Sequence, residues 1–244
     1  MSELMDNIKD LREMTGAGFL DCKKALEENS FDIDKSVIFL RKKGLAKANK
    51  KSSREAKEGA VGIYSNENIV SIIQINTETD FAAKNDVFLD FMDRIGNFSL
   101  LNNDHNLLLS DFNNLVFEGN TIENHFKDII SKIGENIIFS KLIFIQVNKK
   151  LMISSYIHNT YRKNIGKIAV ALKSNVKKNN EESQIFGKNL CMHIAASKPL
   201  ALNTDGLSKE LIEKEKEIQI ETIKSSGKPE NIIEKILDGK MKKF

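Results

Sequence analysis

Apolar residues recur along the chain with two different periods, and these periods divide it into segments. In residues 1–43 they return every three or four positions, which predicts three short helices. The residues that would share one face of each helix are Leu4, Ile8 and Leu11, then Phe19, Cys22 and Leu26, and then Ile33, Val37 and Leu40. Gly16 and Gly18 allow the tight backbone that a turn between the first two helices needs.

The next segment, residues 44–57, has almost no apolar period, and we interpret it as a basic linker. The run RKKGLAKANKKSSREAK, residues 41–57, carries eight Lys or Arg residues against one Glu. A basic run can hold phosphates, so an RNA contact is an alternative role for it. It contains no aromatic residue for base stacking and no recognisable RNA-binding motif, which favours a solvated linker.

From Gly59 onward the apolar period changes to that of β-strands. The sequence GAVGIYSNENIVSIIQIN predicts a hairpin with its turn at residues 66–68. An amphipathic helix is predicted after it, with the apolar members Phe81, Val87, Phe88, Phe91, Met92 and Ile95. The later sequence repeats this order in the strands IIFSKLIFIQVN, LMISSYIHN and KIAVALKS and the helix ESQIFGKNLCMHIAAS. We therefore predict two similar α+β halves with antiparallel sheets, at residues 58–140 and 141–200.

The last segment, residues 201–244, predicts two helices that are broken at Gly227 and Pro229, because both residues stop helices. Charged residues interrupt the apolar seam of the first helix, which favours a helical hairpin over a long coiled coil. The predicted fold class is thus α+β, with three helices at the N-terminus, a core of two similar halves and a C-terminal helical hairpin.

Composition narrows the class of protein. The chain is 41% hydrophobic and 29% charged, which is typical of a soluble globular protein, and its net charge of +3 does not by itself argue for a nucleic-acid partner. Cys22 and Cys191 are far apart and form no CxxC motif, which favours reduced thiols. No apolar stretch reaches the roughly 18 to 20 residues of a membrane span. The N-terminus fits no targeting peptide, so we expect a cytoplasmic protein without a membrane partner.

Motifs that carry catalytic chemistry are missing from the sequence. It holds no phosphate-binding loop of the GxxxxGK[ST] type and no HExxH, CxxC or GxSxG motif. The four histidines are scattered and lack metal-ligand spacing. We therefore expect no enzymatic activity, no cofactor, no metal and no small-molecule substrate.

One short stretch, INTETDFAAKND at residues 75–86, places a large aromatic residue where a helix begins. Phe81 could fold back as a hydrophobic staple that fixes the angle of chain entry. It could also point outward as a wedge for another protein. Glu78 and Asp80 could be paired carboxylates, but a helix-capping role explains Asp80 more simply.

Several motifs, in order along the chain, carry a resemblance to a known family. They are LREMTGAGFLDCKKALEE, TDFAAKND, KIGENI, MHIAASKP and SSGKP with DGKMKKF. With these motifs the chain resembles the bacterial elongation factor Ts family, the guanine-nucleotide exchange factors of elongation factor Tu. The resemblance implies a ubiquitin-associated-like fold for the three N-terminal helices. It also implies binding to elongation factor Tu in its GDP-bound and nucleotide-free forms. Nucleic acid is disfavoured as a partner.

The resemblance also assigns roles to residues. Asp80 and Phe81, in the same motif as Thr79, would reach into the GTPase domain of elongation factor Tu and disturb the groups that hold Mg²⁺. Lys23 would contact the same domain from the N-terminal helices. The region behind the partner's phosphate-binding loop would be contacted by Ile133, Gly134 and His158.

This sequence departs from the family at one strand position. The family usually has glycine before the Ser-Tyr pair of the strand that holds the histidine, and Ser154 stands there in this chain.

Overall fold

A computed structural model describes residues 2–102, 104, 107–147, 151–176, 178–227, 229–242 and 244. Lys228 and Lys243, which belong to the last two motifs quoted above, lie outside the described residues. By its internal contacts the chain forms two compact units, residues 1–195 and residues 196–244. In the part of the chain that the model describes, no helix combines the length and the apolar character that crossing a membrane requires.

Three helices open the first unit: α1 (Ser2–Thr15), α2 (Phe19–Glu28) and α3 (Ile33–Lys51). Gly16 has φ +67°, the left-handed conformation that the turn after α1 needs. The side chain of Asp32 accepts a hydrogen bond from the backbone N–H of Lys35 and caps α3. The three helices enclose a small apolar cluster made of Ile8, Leu11, Cys22, Ala25, Leu26 and Leu40.

Helix α3 is longer than the apolar period predicts, and it includes residues 44–51 of the segment interpreted as a basic linker. It continues to Lys51, because Ala and Lys favour helix and because Ala48 packs into the core of the sheet region. Only the residues after Lys51 connect α3 to the first strand. The division of the chain into domains stays a prediction, and its boundary at residue 43 falls inside this helix.

The strands are β1 (Glu58–Ser65), β2 (Ile69–Thr77), β3 (Val116–Phe117), β4 (Asn120–Thr121), β5 (Ile137–Gln146), β6 (Leu151–Arg162) and β7 (Ile165–Asn175). Within the described residues, β3 and β4 form a small ribbon, and the other five strands form one antiparallel sheet in the order β5-β2-β1-β7-β6. This confirms the predicted α+β class with antiparallel pairing. The two predicted halves share one sheet, because β2 pairs with β5 and β1 pairs with β7. The boundary predicted between residues 140 and 141 falls inside β5.

Helices cover the sheet: α4 (Asp80–Ala83), α5 (Asp86–Leu101), α6 (Leu109–Asn114), α7 (Ile122–Ile133) and α8 (Glu181–Ser197). The single helix predicted from Phe81 to Ile95 is wrong, because α4 ends at Ala83 and Asn85 caps a new helix, α5. The apolar face of α5 then packs on β2, α6 and α7. The largest members of this core include Phe88, Phe91, Phe112, Phe126, Ile73 and Ile75.

The second unit contains a short 3₁₀ turn (Thr204–Gly206) and the helices α9 (Lys209–Ser225) and α10 (Glu230–Met241). The two helices pack on each other as the predicted hairpin, and the Lys240 ammonium donates to the Gln219 side-chain oxygen at 2.8 Å. Gly227 has φ +70° between them, which agrees with its predicted role as a stop.

The two cysteine thiols should be unreactive in the folded protein. Both are fully buried, and burial raises the pKa of Cys22 and of Cys191, so neither forms the nucleophilic thiolate readily. We expect iodoacetamide at pH 8 to alkylate the native protein far more slowly than the protein unfolded in guanidinium, as measured by mass spectrometry. Native labelling as fast as that of the unfolded control would contradict this burial.

Candidate functional site

The segment that follows β2 places the motif residues on a short, capped turn of helix. Thr79 is extended, and its hydroxyl oxygen accepts the backbone N–H of Ala82 at 3.2 Å. The cap of α4 is therefore Thr79, which corrects the capping role that the sequence suggested for Asp80. Asp80 is the first helical residue, and its carboxylate lies 2.9 Å from the Lys84 ammonium. This hydrogen bond with Lys84 lowers the pKa of Asp80.

Phe81 points away from the protein. Its side chain is 82% exposed, whereas the next two residues, Ala82 and Ala83, are buried. A hydrophobic staple would bury the ring, so the exposure excludes the staple interpretation. Full burial of a phenylalanine side chain is worth about 1.5–3 kcal/mol, and this ring leaves most of that free energy unused in the isolated chain.

Two carboxylates, one on each segment, accept hydrogen bonds between the start of α4 and the loop that connects α7 to β5. We call these hydrogen bonds the crossed contacts. The Glu135 carboxylate accepts the backbone N–H of Thr79 at 2.9 Å and the Thr79 hydroxyl at 2.7 Å. In return, the Glu78 carboxylate accepts the backbone N–H of Asn136 at 2.6 Å and lies 3.5 Å from the Arg54 guanidinium. Glu78 and Asp80 each lie beside a different cation, Arg54 and Lys84.

Gly134 and Ile133 lie directly beside these crossed contacts. Gly134 ends α7 with φ +87°, a conformation that favours glycine, and its N–H donates to Ile130 at 2.9 Å. Its carbonyl accepts the ammonium of Lys51, the last residue of α3, at 2.5 Å. Ile133 is half-buried against the main core. These contacts place Thr79, at the start of α4, next to the loop that begins at Gly134.

The end of β6 holds the other side of α4. The Lys84 ammonium lies 5.9 Å from the centre of the Tyr161 ring, within the range of a cation–π contact. The next residue, Arg162, lies 3.1 Å from the Asp86 carboxylate and 2.5 Å from that of Asp90, at the start of α5. The start of α4 is thus bonded to the loop before β5 through Glu135, and its C-cap residue Lys84 lies against Tyr161 of β6.

Two predicted site residues lie on other elements. Lys23 is on α2, half-buried, with its ammonium 3.7 Å from the Glu27 carboxylate. His158 is exposed on β6, and its Nδ1 lies 3.0 Å from the Tyr156 hydroxyl. Among the described residues, neither side chain forms a hydrogen bond with residues 79–81. Their roles as partner contacts stay predictions.

Reasoning from the sequence missed Glu135, Asn136 and Lys51 as parts of the site, and it assigned Glu78 no role in the site. A signal for two of them was present, because Glu135 and Asn136 belong to the KIGENI motif together with Gly134. Nothing local could have shown that they bond to residues more than fifty positions earlier in the chain.

Four of the eight cations in the basic segment at residues 41–57 make contacts inside the protein. Lys43 lies 2.8 Å from the Asp21 carboxylate, and Lys57 lies 2.8 Å from that of Glu55. Lys51 and Arg54 make the contacts with Gly134 and Glu78 described above. These four cations have structural partners, so the segment presents less free positive charge than its sequence indicates.

The serine at the strand position where the family usually has glycine is buried against α8. Gly187 of that helix faces it, and a Cβ atom built on Gly187 would lie 2.1 Å from the Ser154 hydroxyl oxygen. Because Gly187 has no side chain, α8 leaves space for the Ser154 side chain on β6.

The architecture is that of an α+β protein with one main antiparallel sheet and helices at both ends of the chain, and its TDFAAKND motif carries an exposed aromatic ring. A family model described as Elongation factor TS matches residues 78–244. The elongation factor Ts of Bartonella henselae is 40% identical over all of this chain and 79% of its own length. The elongation factors Ts of Sinorhizobium fredii and Rhizobium meliloti are each 40% identical over 97% of this chain and 76% of their own lengths. The chain belongs to the elongation factor Ts family, and it is a translation elongation factor.

Proposed function

We propose that this protein binds elongation factor Tu with GDP and promotes release of the nucleotide, so that GTP can replace it. The observation that carries the proposal is the 82% exposure of Phe81 on a helix turn whose cap is bonded to Glu135 and whose C-cap residue, Lys84, lies against Tyr161. An exposed aromatic on a rigid support loses little conformational entropy when it enters a pocket of a partner.

Phe81 acts as a wedge between helices of the partner's GTPase domain, and Asp80 supports it. GTPases hold the β-phosphate through backbone N–H groups and Mg²⁺, so a small displacement of these groups removes several charge-assisted bonds. Nanomolar binding of a nucleotide corresponds to about 12 kcal/mol. Accelerating release by about 10⁴-fold needs only about 5.5 kcal/mol of differential binding, and one buried aromatic with its neighbours can supply much of it.

The other residues have supporting roles in this proposal. Ile133 and Gly134 lie beside the wedge and press on the region behind the phosphate-binding loop, and His158 contacts the same region from β6. Lys23 adds a contact with the GTPase domain from α2. The protein itself catalyses no chemical reaction and acts in the cytoplasm, where translation factors work.

The RNA-binding alternative has less support. It depends on free cations in residues 41–57, and four of these cations are engaged with carboxylates or a backbone carbonyl. RNA binding through several phosphates would weaken steeply with salt, whereas a contact through a wedge would not.

The direct test is release of fluorescently labelled GDP from elongation factor Tu in the presence of excess unlabelled nucleotide. We expect this protein to accelerate release by orders of magnitude, with a rate that saturates as its concentration rises. Bovine serum albumin at equal concentration serves as the control. An unchanged release rate at saturating protein would overturn the proposal.

A further inference from the structure

The exposed ring of Phe81 is carried by a helix that is too short to be stable without contacts to the rest of the protein. Helix α4 has four residues, Asp80–Ala83, and a single turn of helix is not stable by itself. The direction of the ring therefore depends on what fixes the first residues of the turn.

The only carboxylate that bonds to the cap of this turn, among the described residues, is that of Glu135. Its two oxygens take separate donors on Thr79, one the backbone N–H and the other the hydroxyl. The same hydroxyl oxygen accepts the N–H of Ala82, so one chain of hydrogen bonds runs from Glu135 through Thr79 into the helix. A bidentate contact of this kind restricts rotation as well as distance.

We infer that Glu135 is a positioning residue for Phe81, which locks the turn that carries the ring to the C-terminal end of α7. This inference rests on the proposed function, because it assigns Glu135 a role in the action of the proposed wedge. The crossed contact from Glu78 to Asn136 makes the joint two-sided and prevents the segments from sliding past each other. The Lys51 ammonium also bonds to the carbonyl of Gly134, the residue before Glu135. Phe81 and the end of α7 therefore contact a partner as one rigid surface.

The test replaces Glu135 and separates the rate of exchange from the strength of binding. Glu135→Ala removes both acceptors, and we expect the maximal GDP release rate at saturating protein to fall by at least about tenfold, because two charge-assisted hydrogen bonds to the cap are lost. The concentration that gives half of the maximal rate should change much less. Glu135→Gln keeps one acceptor oxygen and should give an intermediate rate.

Glu123→Gln is the control, because Glu123 is a carboxylate at the start of α7 whose described partner is Lys127, at 2.7 Å, and not the turn that carries Phe81. This variant should exchange as fast as the unmodified protein. All rates are compared per folded molecule, with the folded fraction taken from circular dichroism, so that a loss of stability alone does not count as a loss of positioning.

A double-mutant cycle with Phe81→Ala decides whether Glu135 acts through the ring. In the Phe81→Ala background, Glu135→Ala should change the maximal rate by less than about twofold, since the ring that it positions is gone. A wild-type maximal rate for Glu135→Ala would overturn the inference, and so would equal slowing in both backgrounds. If Phe81→Ala alone exchanges normally, the proposed wedge is wrong, and this outcome is distinct from a failure of Glu135 only.

Discussion

Replacing Phe81 by alanine is expected to slow GDP release from elongation factor Tu by at least about tenfold, which corresponds to about 1.4 kcal/mol of coupling. The thermal unfolding midpoint should stay nearly unchanged, because the ring is 82% exposed and fills no space in the core. The backbone of the turn is held by contacts that do not involve the ring. Stopped-flow fluorescence of labelled GDP measures the rate, and calorimetry measures the midpoint.

Val87→Ala provides the control for Phe81→Ala. Val87 is another exposed apolar residue, 43% accessible, in the first turn of α5, so its truncation also removes apolar surface near the site. We expect normal exchange from this variant. A Phe81→Ala protein that exchanges at the wild-type rate, at equal folded concentration, would remove the mechanism proposed here. A lowered midpoint with normal exchange would instead give the ring a structural role.

Gly96→Ala is expected to cause a large loss of stability, about 2 kcal/mol. A Cβ atom built on Gly96 would lie 2.0 Å from Cε2 of the buried Tyr64 ring, far inside van der Waals contact. The ring has little room to move, because its hydroxyl donates to the Asp93 carboxylate at 3.0 Å and lies 3.2 Å from the Met92 carbonyl oxygen. Alanine favours helix over glycine by about 1 kcal/mol, but overpacking of a fixed core costs about 3 kcal/mol and is the larger effect.

Urea unfolding monitored by circular dichroism measures this change, and Gly239→Ala is its control. Gly239 is also inside a helix, α10, but a Cβ atom there would have no neighbour within 4 Å among the described residues. This variant should gain about 0.5–1 kcal/mol from helix propensity and the smaller entropy of the unfolded chain. A Gly96→Ala protein as stable as the unmodified one would show that the contact between α5 and Tyr64 is looser than described.

Local patterns predicted those elements whose hydrogen bonds and caps lie close together in the sequence. The hairpin of β1 and β2 is one example, because its turn at Asn66 is stabilised by the Asn66 side chain itself. The end of α7 at Gly134 is another, because the helix closes there with a residue at positive φ, which glycine adopts most readily. The break between α4 and α5 was missed, although Asn85 is a favourable helix cap and the residue order contained that signal.

Long-range contacts were beyond what the sequence pattern could predict. The pairing of β1 with β7 rests on two residue pairs, and no periodicity marks where such a pairing occurs. At the candidate site, the motif identified Phe81 but not its exposure, which depends on how the buried Ala82 and Ala83 orient the turn. The partners Glu135 and Thr79 meet only because the sheet places β2 beside β5.

Helix α3 has a practical consequence for exchanging parts between related proteins. Leu40 belongs to the N-terminal apolar cluster and Ala48 to the core of the sheet region, about 12 Å apart along one continuous helix. The N-terminal helices therefore cannot be exchanged as a unit by dividing the chain at residue 43. A chimera would have to carry the whole of α3 and join the foreign segment at residues 55–57, where the backbone has left the helix and has not yet entered β1.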